Sequence, residues 1–256
     1  MSMKNYHKVT RGVVEQSRRE GKSSVAKLDP LDLDLDRTYT LEEFEDINEQ
    51  LKTQTLEIGE EPVDLFELDA SGKLIPMPQT PFCKELAVAE IVRQIGMWNI
   101  YTNQGGGVTA SQGGFNFDTG RGRTIRAPDV AFTPNRICCA LSEEQCWTFQ
   151  GQPFTPSFVV EVENVAGGRG AKFDNLDNKF RSVYFGYNTS VQLGWLVDPQ
   201  NRDIWVYRRR NRSTAGRRKL EWNDVDGGTV LPGFTLDVEA IDKTTSVVCH
   251  CISIAL

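Results

Sequence analysis

Residues 156–164, PSFVVEVEN, can form a β-strand and little else. Phe158, Val160 and Val162 alternate strictly with Val159, Glu161 and Glu163, so the two sets point to opposite faces of a sheet. A strand of this kind needs partners, and several other stretches qualify. VDLFEL and KLIPM are two short strands around an Asp-Ala-Ser-Gly turn, the signature of a hairpin. IRAPDVAF is a strand with its proline at the entrance, where a missing N–H is tolerated. QLGWLVDP and DIWVYRR make a strand pair across an Asp-Pro turn. Helical patterns lie between them. In KELAVAEIVRQIGMWN, Val88, Ile91, Val92 and Ile95 recur at helical spacing, and DNLDNKFRSVYFGY reads as a second helix. Interleaved strands and helices predict an α/β domain built on a mixed sheet flanked by helices.

This domain spans residues 63–244. Residues 1–62 read as a flexible or loosely attached segment, basic up to about residue 24 and acidic beyond it, and residues 245–256 as an apolar C-terminal tail. Within the segment, TLEEFEDINEQL has the pattern of a helix capped by Thr40, with Glu43 completing a capping box. Its acidic composition leaves little apolar surface to bury. The glycine-rich stretch after residue 104 lacks the Gly-Lys-Ser/Thr ending of a phosphate-binding loop and reads as strands joined by tight turns.

The net charge of −6 hides a segregation. Residues 29–69 hold fifteen acids against Arg37 and Lys52, a local balance of −13 that leaves +7 for the rest. A mildly basic body suits a nucleic-acid partner, although an acidic linker is often only solvated. A second basic feature is the run of Arg208, Arg209, Arg210, Arg212, Arg217, Arg218 and Lys219, seven cations in twelve residues. Such a cluster can neutralise phosphates without reading sequence.

No run of apolar residues reaches membrane-spanning length, and the N-terminus has no apolar stretch typical of a secretory signal. The expected location is intracellular, cytoplasmic or nuclear. Six scattered cysteines suit reduced thiols, and no paired Cys-x2-Cys spacing supports zinc. With only His7 and His250, histidine acid–base catalysis has almost nothing to work with.

The chemistry-bearing feature is a pair of carboxylates on two strands, Asp129 at the start of one and Glu161 in the middle of another. If the strands are neighbours, both carboxylates reach one point. Hard divalent cations such as Mg²⁺ (or Mn²⁺) take oxygen ligands in that arrangement, with water and substrate phosphate completing the shell. From spacing alone the stronger reading is that Glu161 and Glu163 simply form the wet face of a strand.

The order of these stretches carries a resemblance. FELDASGKLIPMP, the helix KELAVAEIVRQIGMWN, IRAPDVAF, PSFVVEVEN, DNKF, QLGWLVDP, DIWVYRR and LPGFTLDVEAI follow one another over about 180 residues. So ordered, the chain resembles the Uma-two family of restriction-endonuclease-like domains, within the PD-(D/E)xK nuclease superfamily. The resemblance implies a restriction-endonuclease-like core, a central mixed β-sheet flanked by helices, and metal-dependent hydrolysis of DNA phosphodiester bonds. On this basis Asp129 and Glu161 match the motif's two acids. The motif's lysine position holds Glu163, so the resemblance implies that Lys179 in DNKF substitutes, with Lys172 as a fallback. Glu163 is a candidate extra metal ligand, as is Glu90 of the first core helix in preference to Glu85. Arg208, Arg209, Arg210 and Arg212 are candidate DNA contacts, and cutting both strands would favour a homodimer. Glu163 also keeps open a nuclease-fold module that binds nucleic acid without cutting. The acidic segment keeps open a protein-interaction factor.

Overall fold

A computed structural model of the chain describes residues 33–54, 56–58, 61–118, 122–212 and 214–253, in two compact units, 1–79 and 80–256. The tail residues 1–32, including His7, lie outside the described residues, as do the side chains of Cys249, His250 and Cys251.

In the first unit, α1 (Leu41–Leu51) precedes β1 (Leu56–Ile58), β2 (Glu61–Leu68) and β3 (Leu74–Pro78). The Thr40 hydroxyl accepts the Glu43 N–H while Glu43 takes the Thr40 N–H, so the capping box forms as its spacing predicts. The helix buries Phe44, Ile47 and Leu51, more apolar surface than its acidic composition suggests. Asn48 ties it to β2 by accepting the Phe66 N–H at 2.8 Å and donating to the Phe66 carbonyl at 3.1 Å. β2 pairs antiparallel with β1 and β3. The β2–β3 turn closes on Asp69 Oδ1, which accepts the N–H groups of Ser71 and Lys73 at 2.8 Å, and Gly72 supplies the positive φ.

The second unit begins with α2 (Phe82–Tyr101), then β4 (Gly107–Ala110), β5 (Phe115–Asp118), β6 (Arg123–Arg126), β7 (Val130–Thr133), α3 (Asn135–Cys138) and α4 (Glu143–Trp147). β8 (Phe158–Val162) leads to α5 (Ala171–Asn178), which runs on as a π-helical segment, Lys179–Tyr184. The chain continues through β9 (Leu193–Asp198), β10 (Asp203–Arg209), β11 (Ala215–Leu220), β12 (Val225–Asp226), β13 (Thr235–Leu236) and α6 (Val238–Ser253). Six strands form one sheet in the order β11-β10-β9-β8-β7-β4. The β8–β9 pair is parallel and the other four pairs are antiparallel, so the expected mixed sheet is present.

The two faces of β8 are covered by different helices. Phe158, Val160 and Val162 pack with Ala87, Val88, Ile91 and Ile95 of α2 and with Ile241 of α6. Val159 faces Phe173, Phe180, Tyr184 and Phe185, from α5 and the π-helical turn. Each fully buried aliphatic or aromatic side chain contributes about 1.5–3 kcal/mol, and these two layers fix β8 at the centre. IRAPDVAF proves to be two strands rather than one. β6 ends at Arg126 paired with β5, and β7 starts at Val130 in the main sheet. Ala127 and Pro128 make the break, because proline has no N–H to give a ladder. No helix among the described residues is long and apolar enough to cross a membrane.

Candidate active site

The end of the β7–β8 ladder brings the two carboxylates together. Val130 pairs with Val160 in antiparallel register, and one further step sets Asp129 opposite Glu161. Directly opposed residues share a face, with Cβ atoms about 4.5–5.5 Å apart. Because the ladder stops at Pro128, Asp129 continues it with its side chain: Oδ2 accepts the Val162 N–H at 2.7 Å. On the other edge of β8 the Glu163 N–H donates to the Val197 carbonyl at 2.9 Å, which fixes Glu163 one turn of the pleat beyond Glu161.

Three lysines answer the three acids. Lys179 Nζ lies 3.1 Å from Glu161 Oε1, and the buried Tyr184 hydroxyl donates to the same oxygen. Lys84 Nζ, from the first turn of α2, lies 3.5 Å from Asp129 Oδ2 and 3.4 Å from Glu163 Oε2. Lys172 Nζ reaches Glu163 Oε1 at 3.1 Å from a more exposed position. The convergence of Lys179 and Tyr184 depends on the π-helical winding. In an α-helix, residues five apart stand roughly 140° apart around the axis. Here the Phe185 N–H bonds the Phe180 carbonyl at 2.9 Å, an i→i+5 bond that widens the turn and brings both side chains to Glu161. Tyr184 is then locked by aromatic contacts with Phe117 and Phe180, at centroid distances of 5.1 and 5.3 Å.

Burial pushes the Asp129 carboxyl up to about 7, and the neighbouring Glu161 charge adds to the effect against the pull of Lys84, the Val162 N–H and Lys179. Burial works against the charge of Lys84, but Asp129, Glu163 and Glu161 outweigh it and raise the lysine above its ordinary range. Burial also opposes ionisation of Glu163, yet Lys84 and Lys172 hold it below the usual carboxylate range. The site is thus an alternating arrangement of acids and lysines closed around Asp129.

Glu90 does not join this cluster. Its carboxylate accepts from Arg93 at 2.6 and 2.8 Å and from Gln94 at 2.9 Å, and Gln94 in turn binds the backbone of Asp237. Six residues beyond Lys84, it points roughly 240° around the helix from the side chain that reaches Asp129. Glu85 accepts instead from the Ser111 hydroxyl at 3.4 Å.

The basic run also divides. It forms the β10–β11 hairpin, and Arg209 turns inward with its guanidinium bound by the Val191 carbonyl, the Arg212 carbonyl and the Thr189 hydroxyl at 2.6–2.8 Å. Arg209 is therefore a clamp on the 185–191 loop and not the phosphate contact its composition suggests. Arg217 pairs with Asp177 and Lys219 with Asp203. Among the described residues, no carboxylate pairs with Arg208, Arg210, Arg212 or Arg218. Arg212 lies over the Tyr187 ring.

Two carboxylates on adjacent strands suit a hard divalent cation. Asp129 uses Oδ2 for Val162 and Lys84, and Glu161 uses Oε1 for Tyr184 and Lys179, so among the described residues the second oxygen of each has no bonded partner. Among the described residues no group of three or more His, Cys, Asp or Glu side chains is arranged to hold a metal. Mg²⁺ is commonly held by one or two carboxylates, with waters and substrate phosphate completing its shell.

The chain is similar in structure to a putative nuclease belonging to DUF820 from Anabaena variabilis. The TM-score is 0.53 at 15% identity, covering 71% of this chain and 91% of that one, so the likeness concerns the fold. No curated protein matches. The model of the Uma2 family, described as putative restriction endonuclease, matches residues 41–239. That span covers most of the chain, both carboxylate strands and all three site lysines, and the chain belongs to the Uma2 family.

Proposed function

We propose that this chain is a divalent-metal-dependent nuclease that hydrolyses DNA phosphodiester bonds, with Asp129 and Glu161 holding the cation. The observation that carries this reading is the register of β7 on β8, which sets the two carboxylates face to face at a ladder end. A matching family described as putative restriction endonuclease and a fold shared with a putative nuclease support it.

Hydrolysis joins a water oxygen to phosphorus, breaks one P–O ester bond and leaves the departing oxygen with a proton. A bound Mg²⁺ or Mn²⁺ would supply polarisation of the phosphate and activation of the water. The chain's own groups do the rest. The Tyr184 hydroxyl and Lys179 fix the Glu161 carboxylate, and the Val162 N–H fixes that of Asp129. Lys179 provides positive charge where the phosphorane develops negative charge. Arg208, Arg210 and Arg212 neutralise backbone phosphates without selecting sequence.

A binding module with a disabled site is the second reading, because Glu163 occupies a position where a cation would serve phosphate chemistry. Incubating the protein with plasmid and single-stranded DNA in Mg²⁺, Mn²⁺ or EDTA separates the two. Cutting that EDTA abolishes supports the nuclease. Retention of DNA without cutting in any metal supports the module.

A further inference from the structure

We propose that Lys84, seated by Glu163, is a catalytic lysine of this site, delivered from α2 to the Asp129 side of the carboxylate pair. The inference rests on the nuclease reading and adds a residue and a positioning partner to it.

Glu163 shares the face of Glu161, two residues along the strand, and its charge there would repel a phosphate. It is not left to do so. Its Oε2 holds Lys84 at 3.4 Å, and the same ammonium lies 3.5 Å from Asp129 Oδ2. The two lysines that Glu163 binds differ in kind. Lys172 has a side chain 63% exposed, an ordinary surface partner, whereas that of Lys84 is 23% exposed and set between two carboxylates. Exposed pairs contribute little and exchange freely, while a desolvated one is held in place.

The location of Lys84 is itself unfavourable. It is the third residue of α2, in the first turn, where unpaired N–H groups give the helix a positive end that repels a cation by about 0.3–1 kcal/mol. Simple neutralisation of an acid cluster would not need a lysine from that end. A fixed ammonium beside Asp129 is suited to donating to the attacking water or to a non-bridging phosphate oxygen. Lys179 serves the opposite side, through Glu161. Glu163 is then a positioning residue whose acidity serves to hold the lysine.

The geometry provides a rescue test. A lysine at position 163 would place its own ammonium where Glu163 now receives that of Lys84. Lys84→Met, Glu163→Gln and the double variant Lys84→Met/Glu163→Lys are compared with the wild type in single-turnover DNA cleavage. Mn²⁺ binding by calorimetry and metal-free melting are measured alongside. Lys84→Met is expected to lose roughly a hundredfold or more in cleavage, the scale of one removed transition-state donor, with Mn²⁺ affinity unchanged within a few-fold. Glu163→Gln should lose about tenfold, because the ammonium stays but its seat is weakened, and the double variant should regain at least tenfold over Lys84→Met. If Lys84→Met unfolds, the Glu163→Gln loss and the activity of the double variant decide. Undiminished cleavage in Lys84→Met overturns the inference and leaves the nuclease reading standing. Equal loss of cleavage and Mn²⁺ binding, with no rescue by the double variant, makes Lys84 a structural group and also overturns it. A wild type that cuts no DNA in any metal overturns both.

Discussion

Asp129→Asn should stabilise the metal-free protein while abolishing its chemistry. Asparagine is nearly isosteric, and its carbonyl oxygen can still accept the Val162 N–H that Asp129 Oδ2 accepts at 2.7 Å. What disappears is a buried charge facing Glu161. Burial first and that neighbour second push the Asp129 carboxyl to about 7 from an ordinary 3.8. Holding it ionised at pH 8 then costs on the order of 4 kcal/mol relative to the unfolded chain, at 1.36 kcal/mol for each pH unit. Because the folded-state value lies above the unfolded one, the stabilising form is the protonated one. Its contribution is complete below the unfolded value near 4 and is lost as pH rises through about 7. Lys84 loses a partner in the variant, which offsets part of the gain, so roughly 2–3 kcal/mol should remain at pH 8. For a chain of this size that is about 6–10 °C in melting temperature. The assay is thermal melting of both proteins in EDTA between pH 4 and pH 8. The variant should match the wild type near pH 4, exceed it increasingly up to about pH 7, and keep a level margin above that. A variant less stable by the same margin at every pH would show that Asp129 is a satisfied structural carboxylate.

Tyr184→Phe keeps the aromatic packing but removes the hydroxyl from Glu161, and should cost about 1.5–3 kcal/mol in urea unfolding, the range for hydrogen bonds to charged groups. An unchanged unfolding midpoint would mean that Lys179 alone satisfies that carboxylate. Replacing Arg208, Arg210 and Arg212 by alanine should weaken DNA binding for all sequences alike and flatten the slope of log affinity against log salt by about 0.9 per lost phosphate contact. Arg209→Ala should instead lower stability by about 2 kcal/mol or more through its orphaned carbonyl partners; an unaltered melt with reduced DNA binding would reverse this assignment. Phe44→Ala should destabilise the first unit by about 3 kcal/mol, the cost of an emptied buried aromatic site. An unchanged melt would show that α1 contributes little.

The strand pair and its carboxylates were legible because a period of two and the order of elements carry the information. Alternation places Glu161 and Glu163 on one face of β8, and the mixed sheet follows from interleaved strands and helices. The register that joins Asp129 to Glu161 was an assumption until β7 proved to be the neighbour of β8. Lys84 was invisible. Its contact with Glu163 spans 79 positions, and one lysine in a helix's first turn has no pattern to mark it. Tyr184 was hidden for a different reason: α-helical periodicity turns it away from Lys179, and only the wider π winding unites them. Glu90 is central in α2, but the angular position relative to the sheet decides which acid reaches the site. Parity does not separate Arg209 from Arg208, because both faces of β10 are buried as far as Tyr207; only the carbonyls around the 185–191 loop decide that Arg209 turns inward.

The central claim is that Asp129 and Glu161 together hold a divalent cation, and direct Mn²⁺ titration tests it without requiring the right nucleic-acid substrate. By calorimetry, the wild type should bind one Mn²⁺ that Mg²⁺ displaces, and Asp129→Asn and Glu161→Gln should each weaken that binding at least tenfold while remaining folded. Equal Mn²⁺ binding by all three proteins, or no binding by the wild type, would contradict the account.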